Sequence, residues 1–102
     1  LRHAKRTDRN HAEIRAGLRK LGYDVLDLSD VGGGVPDLCV NSECFYMPPC
    51  FLEVKDPKKP PSARKLTTSE EKWVMYCGAI TFVVTTLDEA VQSIKICRER
   101  FE

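Results

Sequence analysis

Two short runs decide how this chain is read: Gly34-Val35-Pro36-Asp37-Leu38 and Phe51-Leu52-Glu53-Val54-Lys55. Each places charge inside an apolar stretch. Leu38, Val40, Phe51, Leu52 and Val54 have the character of buried strand positions, yet Asp37, Glu53 and Lys55 sit among them. An isolated charge in a low-dielectric interior is costly, so such groups normally pair or hold a metal. Residues two apart in a strand share a face. Glu53 and Lys55 therefore point one way, and Leu52 and Val54 the other. With the strand that holds Asp37 alongside, two carboxylates and one ammonium converge. That set suits a hard divalent cation with a lysine beside it.

Outward from these runs, periodicity predicts the remaining elements. Residues 9–21 read as a helix, with Ile14, Leu18 and Leu21 on one stripe and Gly22 as the stop signal. Residues 23–28 read as a first strand, 37–40 as a second and 50–55 as a third. Between the first two, Gly32, Gly33 and Gly34 form a flexible turn that lets the backbone pass close to a ligand or another strand. Pro48-Pro49 ends the turn before the third strand, and Pro57, Pro60 and Pro61 mark residues 56–64 as an exposed loop. A helix follows over 68–77, opened by a capping box in either register, Thr67 with Glu70 or Thr68 with Glu71. Residues 80–84 are an uninterrupted apolar strand, expected at the sheet centre. Thr86 and Glu89 form another capping box before a last helix carrying Val91, Ile94 and Cys97 or Arg98. The expected order is α-β-β-β-α-β-α. It describes one α/β domain with a three-strand meander and a fourth strand in the same sheet.

At 102 residues the chain holds one core, and 42% hydrophobic content marks it as folded rather than disordered. No apolar run reaches membrane-spanning length and the basic start has no apolar h-region, so neither a transmembrane helix nor a signal peptide is expected. The net charge is only +1. Its distribution carries more. Arg2, Lys5, Arg6, Arg9, Arg15, Arg19 and Lys20 crowd the first stretch, and Lys55, Lys58, Lys59, Arg64 and Lys65 form a second basic cluster. Two such patches on a near-neutral domain suit a phosphate backbone, or are simply solvated surface charge. Five cysteines without a CxxC pair do not make a disulfide framework. Cys39, Cys44 and Cys50 lack a nearby His to complete a zinc site, and Cys39 and Cys50 fit as small buried hydrophobes. Reduced thiols and a cytoplasmic setting are expected.

The Pro36-Asp37 pair and the Glu53-Val54-Lys55 triplet together resemble the PD-(D/E)XK nuclease motif. The glycine run before the proline sharpens the likeness. So do the basic, proline-rich stretch after Lys55, the run Leu66-Thr67-x-x-Glu70-x-x-Trp73, and Gly78 with its apolar strand. In that order the chain is similar, over roughly residues 9–96, to the VRR-NUC branch of this superfamily and its small stand-alone phage members. The resemblance implies a restriction-endonuclease-like core, with a mixed central sheet flanked by helices. It implies Mg²⁺- or Mn²⁺-dependent cleavage of DNA, with branched DNA such as Holliday junctions as a candidate substrate.

Phosphodiester hydrolysis needs an activated water, charge stabilisation on the phosphate and help for the leaving oxygen, all of which a divalent metal supplies. Asp37 and Glu53 fit as metal ligands and the Val54 carbonyl as a further one. Lys55 would orient or help deprotonate the water, or stabilise developing charge. The plainer reading of Glu53 and Lys55 is a surface ion pair on an edge strand. The resemblance adds Glu13, an acidic residue on the first helix facing the metal site; otherwise it is a solvated helix glutamate. Glu70 is a further catalytic candidate where the family usually has glutamine, able to accept a hydrogen bond but adding negative charge near phosphate, and is alternatively only the N3 residue of a cap. Trp73 is expected in the core rather than stacking on bases. Lys58, Lys59, Arg64 and Lys65, with Arg9, are the expected DNA-binding residues, gripping backbone rather than reading bases. A symmetric homodimer would present two sites to a two-fold junction. No nucleotide cofactor and no membrane partner are expected. The rival readings are a nucleic-acid-binding module without turnover and a small thiol- or zinc-dependent regulator.

Overall fold

The structure is a computed structural model and describes residues 10–42, 47–78 and 80–100. Among these, α1 (His11–Lys20) precedes β1 (Val25–Asp27), β2 (Leu38–Val40) and β3 (Cys50–Val54). A 3₁₀ turn (Pro61–Ala63), α2 (Thr68–Cys77), β4 (Thr81–Val84) and α3 (Leu87–Glu99) follow. The four strands form one mixed sheet in the order β1-β2-β3-β4. The first three are antiparallel neighbours, and β4 lies parallel to β3 after the crossover through α2. The α/β class predicted from the sequence is the class observed.

Alternation along the strands sorts the sheet into two unlike faces. Val25, Leu38, Val40, Cys50, Leu52, Val54 and Val84 are buried with Ile14, Leu18, Ala90, Ile94 and Cys97 in one cluster, so α1 and α3 cover this face. Each large side chain buried there contributes roughly 2 kcal/mol. Gly17 lets the two helices close on each other, because a Cβ there would lie 2.6 Å from Leu87 Cδ2. The other face carries Cys39, Phe51, Glu53 and Val83, paired as Cys39 with Phe51 and Glu53 with Val83. Only α2 lies over it among the described elements, through an edge-on ring contact of Trp73 with Phe51 at 5.2 Å.

Three expectations are corrected. The strand at residues 80–84 is not at the sheet centre. Among the described residues β4 is an edge strand, and Val83 is 36% exposed. Its apolar run serves the α3 side, where Val84 is fully buried. Leu21 drops out of the α1 stripe and is 60% exposed. The chain turns there through Gly22 at φ +96°, with the Gly22 and Tyr23 N–H groups returning to the Arg19 and Leu18 carbonyls, so Leu21 swings away from the sheet. His11, at the opposite end of the helix, joins Ile14 and Leu18 as a buried residue of α1. Trp73 is half-buried rather than in the core, and its helical neighbour Cys77 is exposed.

A polar knot ties α1 to β1. Asp27 accepts from the Arg15 guanidinium, from the Ser29 N–H at 2.9 Å and from the Ser29 hydroxyl at 2.6 Å, with His11 Nε2 at 3.6 Å. Burial opposes its ionisation, but Ser29, Arg15 and His11 outweigh it and bring its pKa down to about 2. No helix among the described residues is long and apolar enough to cross a membrane.

Candidate active site

The site builds from the end of β3. Glu53 and Lys55 share the α2-facing side of the strand, as period two requires. Glu53 is 2% exposed. Asp37 lies just before the antiparallel neighbour β2 and is also buried; its Oδ2 accepts the Val54 N–H at 2.9 Å. The carboxylate thus continues the strand ladder past its backbone end, at the residue between Glu53 and Lys55. The Lys55 N–H donates to the Val84 carbonyl at 2.9 Å, toward β4. In a planar trans peptide the Val54 carbonyl then points the opposite way, toward Asp37. Asp37 and Val54 present oxygens on one side of the strand end, and Glu53 lies on the sheet face beside it.

Lys55 does not reach into solvent. Its ammonium lies 3.0 Å from Glu70 Oε1 and 3.4 Å from Oε2, with both side chains nearly buried. Glu70 is the one buried residue of α2. Its place follows from the capping box, which forms in the Thr67–Glu70 register. The Thr67 N–H donates to Glu70 Oε1 at 2.8 Å, and the Glu70 N–H returns to Thr67 Oγ1 at 3.3 Å. Burial works against ionisation of Glu70. The Thr67 N–H, the Lys55 ammonium and a hydrogen bond with Glu53 overcome it, and its carboxyl titrates below the ordinary glutamate range.

The glycine turn positions this arrangement. Gly34, at φ +87°, lies so close to α2 that a Cβ would fall 2.2 Å from the Ser69 carbonyl oxygen. The close approach is therefore to the first turn of the helix that carries Glu70.

The other predicted residues lie apart. Glu13 is exposed on α1 and lines an open groove of about 440 Å³ with Asn10, Asp56, Pro57 and Lys58. None of Asp37, Glu53 and Lys55 lines this groove. Among the described residues no three His, Cys, Asp or Glu side chains are grouped as a metal shell. The donors at the strand end are nonetheless all oxygens, the chemistry a hard cation selects.

Lys58 and Lys59 are exposed, on a turn closed by their N–H groups to Asp56 Oδ1 and O at 2.9 and 3.1 Å. Lys65 is exposed as well. Arg64 is half-buried beside Glu89, whose carboxyl its charge helps hold below the ordinary range, after the hydrogen bonds from Thr85. Arg64 is thus less open than the three lysines. Arg9 and Cys44 lie outside the described residues. Cys39, Cys50 and Cys97 are free and buried and Cys77 is free and exposed.

Asn10 and the Lys55–Glu70 pair are features that sequence reasoning missed. The first falls inside the helix expected over residues 9–21, and the second reads as a capping glutamate. Comparison with protein-family models, with characterised proteins and with solved structures finds no match.

Proposed function

We propose that this protein is a metal-dependent DNA endonuclease of the VRR-NUC type, built on a restriction-endonuclease-like core. One observation carries the reading. Glu53 and Lys55 are nearly buried on one side of β3, with Asp37 hydrogen-bonded to the residue between them. An interior that admits two carboxylates and an ammonium at a strand end is costly without a function to hold them there.

Asp37, Glu53 and the Val54 carbonyl would hold Mg²⁺ or Mn²⁺, and Glu13 is the further acid that the resemblance implies. The ion supplies an activated water and neutralises charge on the phosphate. The chain's own residues do the rest. Lys55 offers an ammonium where negative charge develops, and Glu70 holds it in place until phosphate competes for it. Lys58, Lys59 and Lys65 grip the backbone without reading sequence. The domain is small for two duplexes, so a homodimer acting on branched DNA in a cytoplasmic setting completes the proposal. Sedimentation equilibrium at micromolar concentration should give twice the chain mass, and a monomer would remove that part.

A second reading is favoured by the Lys55–Glu70 pair itself. A lysine neutralised by a buried carboxylate is poorly placed to help catalysis, and a protein of this kind would bind DNA without cutting it. Labelled linear duplex, flap and four-way junction DNA, incubated with Mg²⁺, Mn²⁺ or EDTA, separates the two. Cleavage that needs metal and vanishes in Asp37→Ala and in Lys55→Ala, with binding retained, supports the nuclease. Tight binding with no cleavage of any substrate supports the binding module.

A further inference from the structure

Asn10 sits immediately ahead of α1. An asparagine there ordinarily turns its side-chain oxygen back onto the first turn and accepts a backbone N–H. Here no such cap forms. The amide is turned away from the helix, and its Nδ2 donates to the Lys55 carbonyl at 3.0 Å and to the Thr85 carbonyl at 2.7 Å. Only the nitrogen of the amide can serve two carbonyls, so its partners fix its orientation.

The two acceptors are the first residues beyond β3 and β4. A strand end is where the ladder stops and carbonyls must find other donors. Lys55 is therefore held at three points. Its N–H goes to Val84, its carbonyl to Asn10 and its ammonium to Glu70. Thr85 is fixed in turn, because its N–H and hydroxyl both donate to Glu89 Oε1, at 2.6 and 2.7 Å. One side-chain amide thus joins α1, β3, β4 and the first turn of α3, and it does so three residues before Glu13.

We infer that Asn10 is a positioning residue for the cleavage site, a role that rests on the nuclease reading. It clamps the backbone of Lys55 and sets the helix carrying Glu13 against the same strand end. Small displacements at a reacting centre are expensive in rate, on the order of 100-fold for about 1 Å.

Aspartate discriminates this role from helix capping. Asn10→Asp keeps the shape of the side chain and caps a helix as well as asparagine does. Its carboxylate has no hydrogen to donate and would face two carbonyl oxygens. Single-turnover cleavage at saturating DNA and Mg²⁺ should fall on the order of tenfold or more in Asn10→Asp and Asn10→Ala. DNA affinity should hold, and the Lys55 amide proton should exchange faster than in the wild type. Asn10→Ser, which keeps one donor, should recover part of the rate lost in Asn10→Ala; if the aspartate variant fails to fold, that ordering decides. An aspartate variant that cleaves at the wild-type rate, a serine variant no better than alanine, or an unchanged Lys55 exchange rate would overturn the inference. A wild-type protein that cleaves no DNA removes the nuclease reading and the catalytic role of Asn10 together. An active wild type beside an equally active aspartate variant removes the role of Asn10 alone.

Discussion

Glu70 does two jobs with one carboxylate. It closes the capping box of α2 and it faces Lys55, so the helix start and the lysine share a partner. The two jobs separate by substitution. Glu70→Gln keeps an acceptor for both and should cost about 1 kcal/mol. Glu70→Ala leaves the nearly buried ammonium without its partner and should cost roughly 3 kcal/mol. Urea midpoints measure both, and the alanine variant should also lose more cleavage than the glutamine variant. The sequence showed the capping role and the presence of charge at Asp37, Glu53 and Lys55. It did not show that Lys55 pairs with Glu70, because that contact joins a strand end to a helix start across a loop rich in proline. Pattern along a chain reports which face a side chain takes, not what stands opposite.

At the scale of elements, strand and helix boundaries were legible wherever a local signal was strong: alternation in β3, a cap at Thr67 or Thr68, the glycine after α2. The position of β4 was not. An apolar strand is equally consistent with burial on both faces and with one buried face at a sheet edge, and only the topology chooses. The glycine turn was legible as flexible but not in its purpose. That purpose predicts two neighbouring substitutions of unequal cost. Gly33→Ala meets nothing within 4 Å and bears only the strain of φ +67°, about 1 kcal/mol. Gly34→Ala adds a collision with the Ser69 carbonyl to the same strain and should cost roughly 3 kcal/mol. Denaturant unfolding of the pair gives the difference, and equal costs would mean that the turn does not brace α2.

Over the whole molecule, positive charge is offered unevenly. Lys58, Lys59 and Lys65 stand exposed on the stretch that follows β3, whereas Arg64 is half-buried. Replacing Lys58 and Lys59 together by alanine should weaken DNA binding and lower the slope of log affinity against log salt by about 1 to 2, since fewer counterions are released. Arg64→Ala should leave that slope nearly unchanged and instead lower thermal stability. A slope unaffected by the double change would move the nucleic-acid path to another surface.

The two faces of the sheet are fastened by different physics. Under α1 and α3 the contacts are mainly apolar, joined by the Arg15–Asp27 pair, whose carboxylate stays ionised down to about pH 2. Under α2 they are one ring contact, a glycine brace and a charged pair whose acceptor must stay ionised. Acid strong enough to protonate Glu70, below the ordinary glutamate range, therefore loosens the face that carries the chemistry. Inactivation should run ahead of unfolding, and a preparation that has lost its activity can still be a folded protein with α2 adrift.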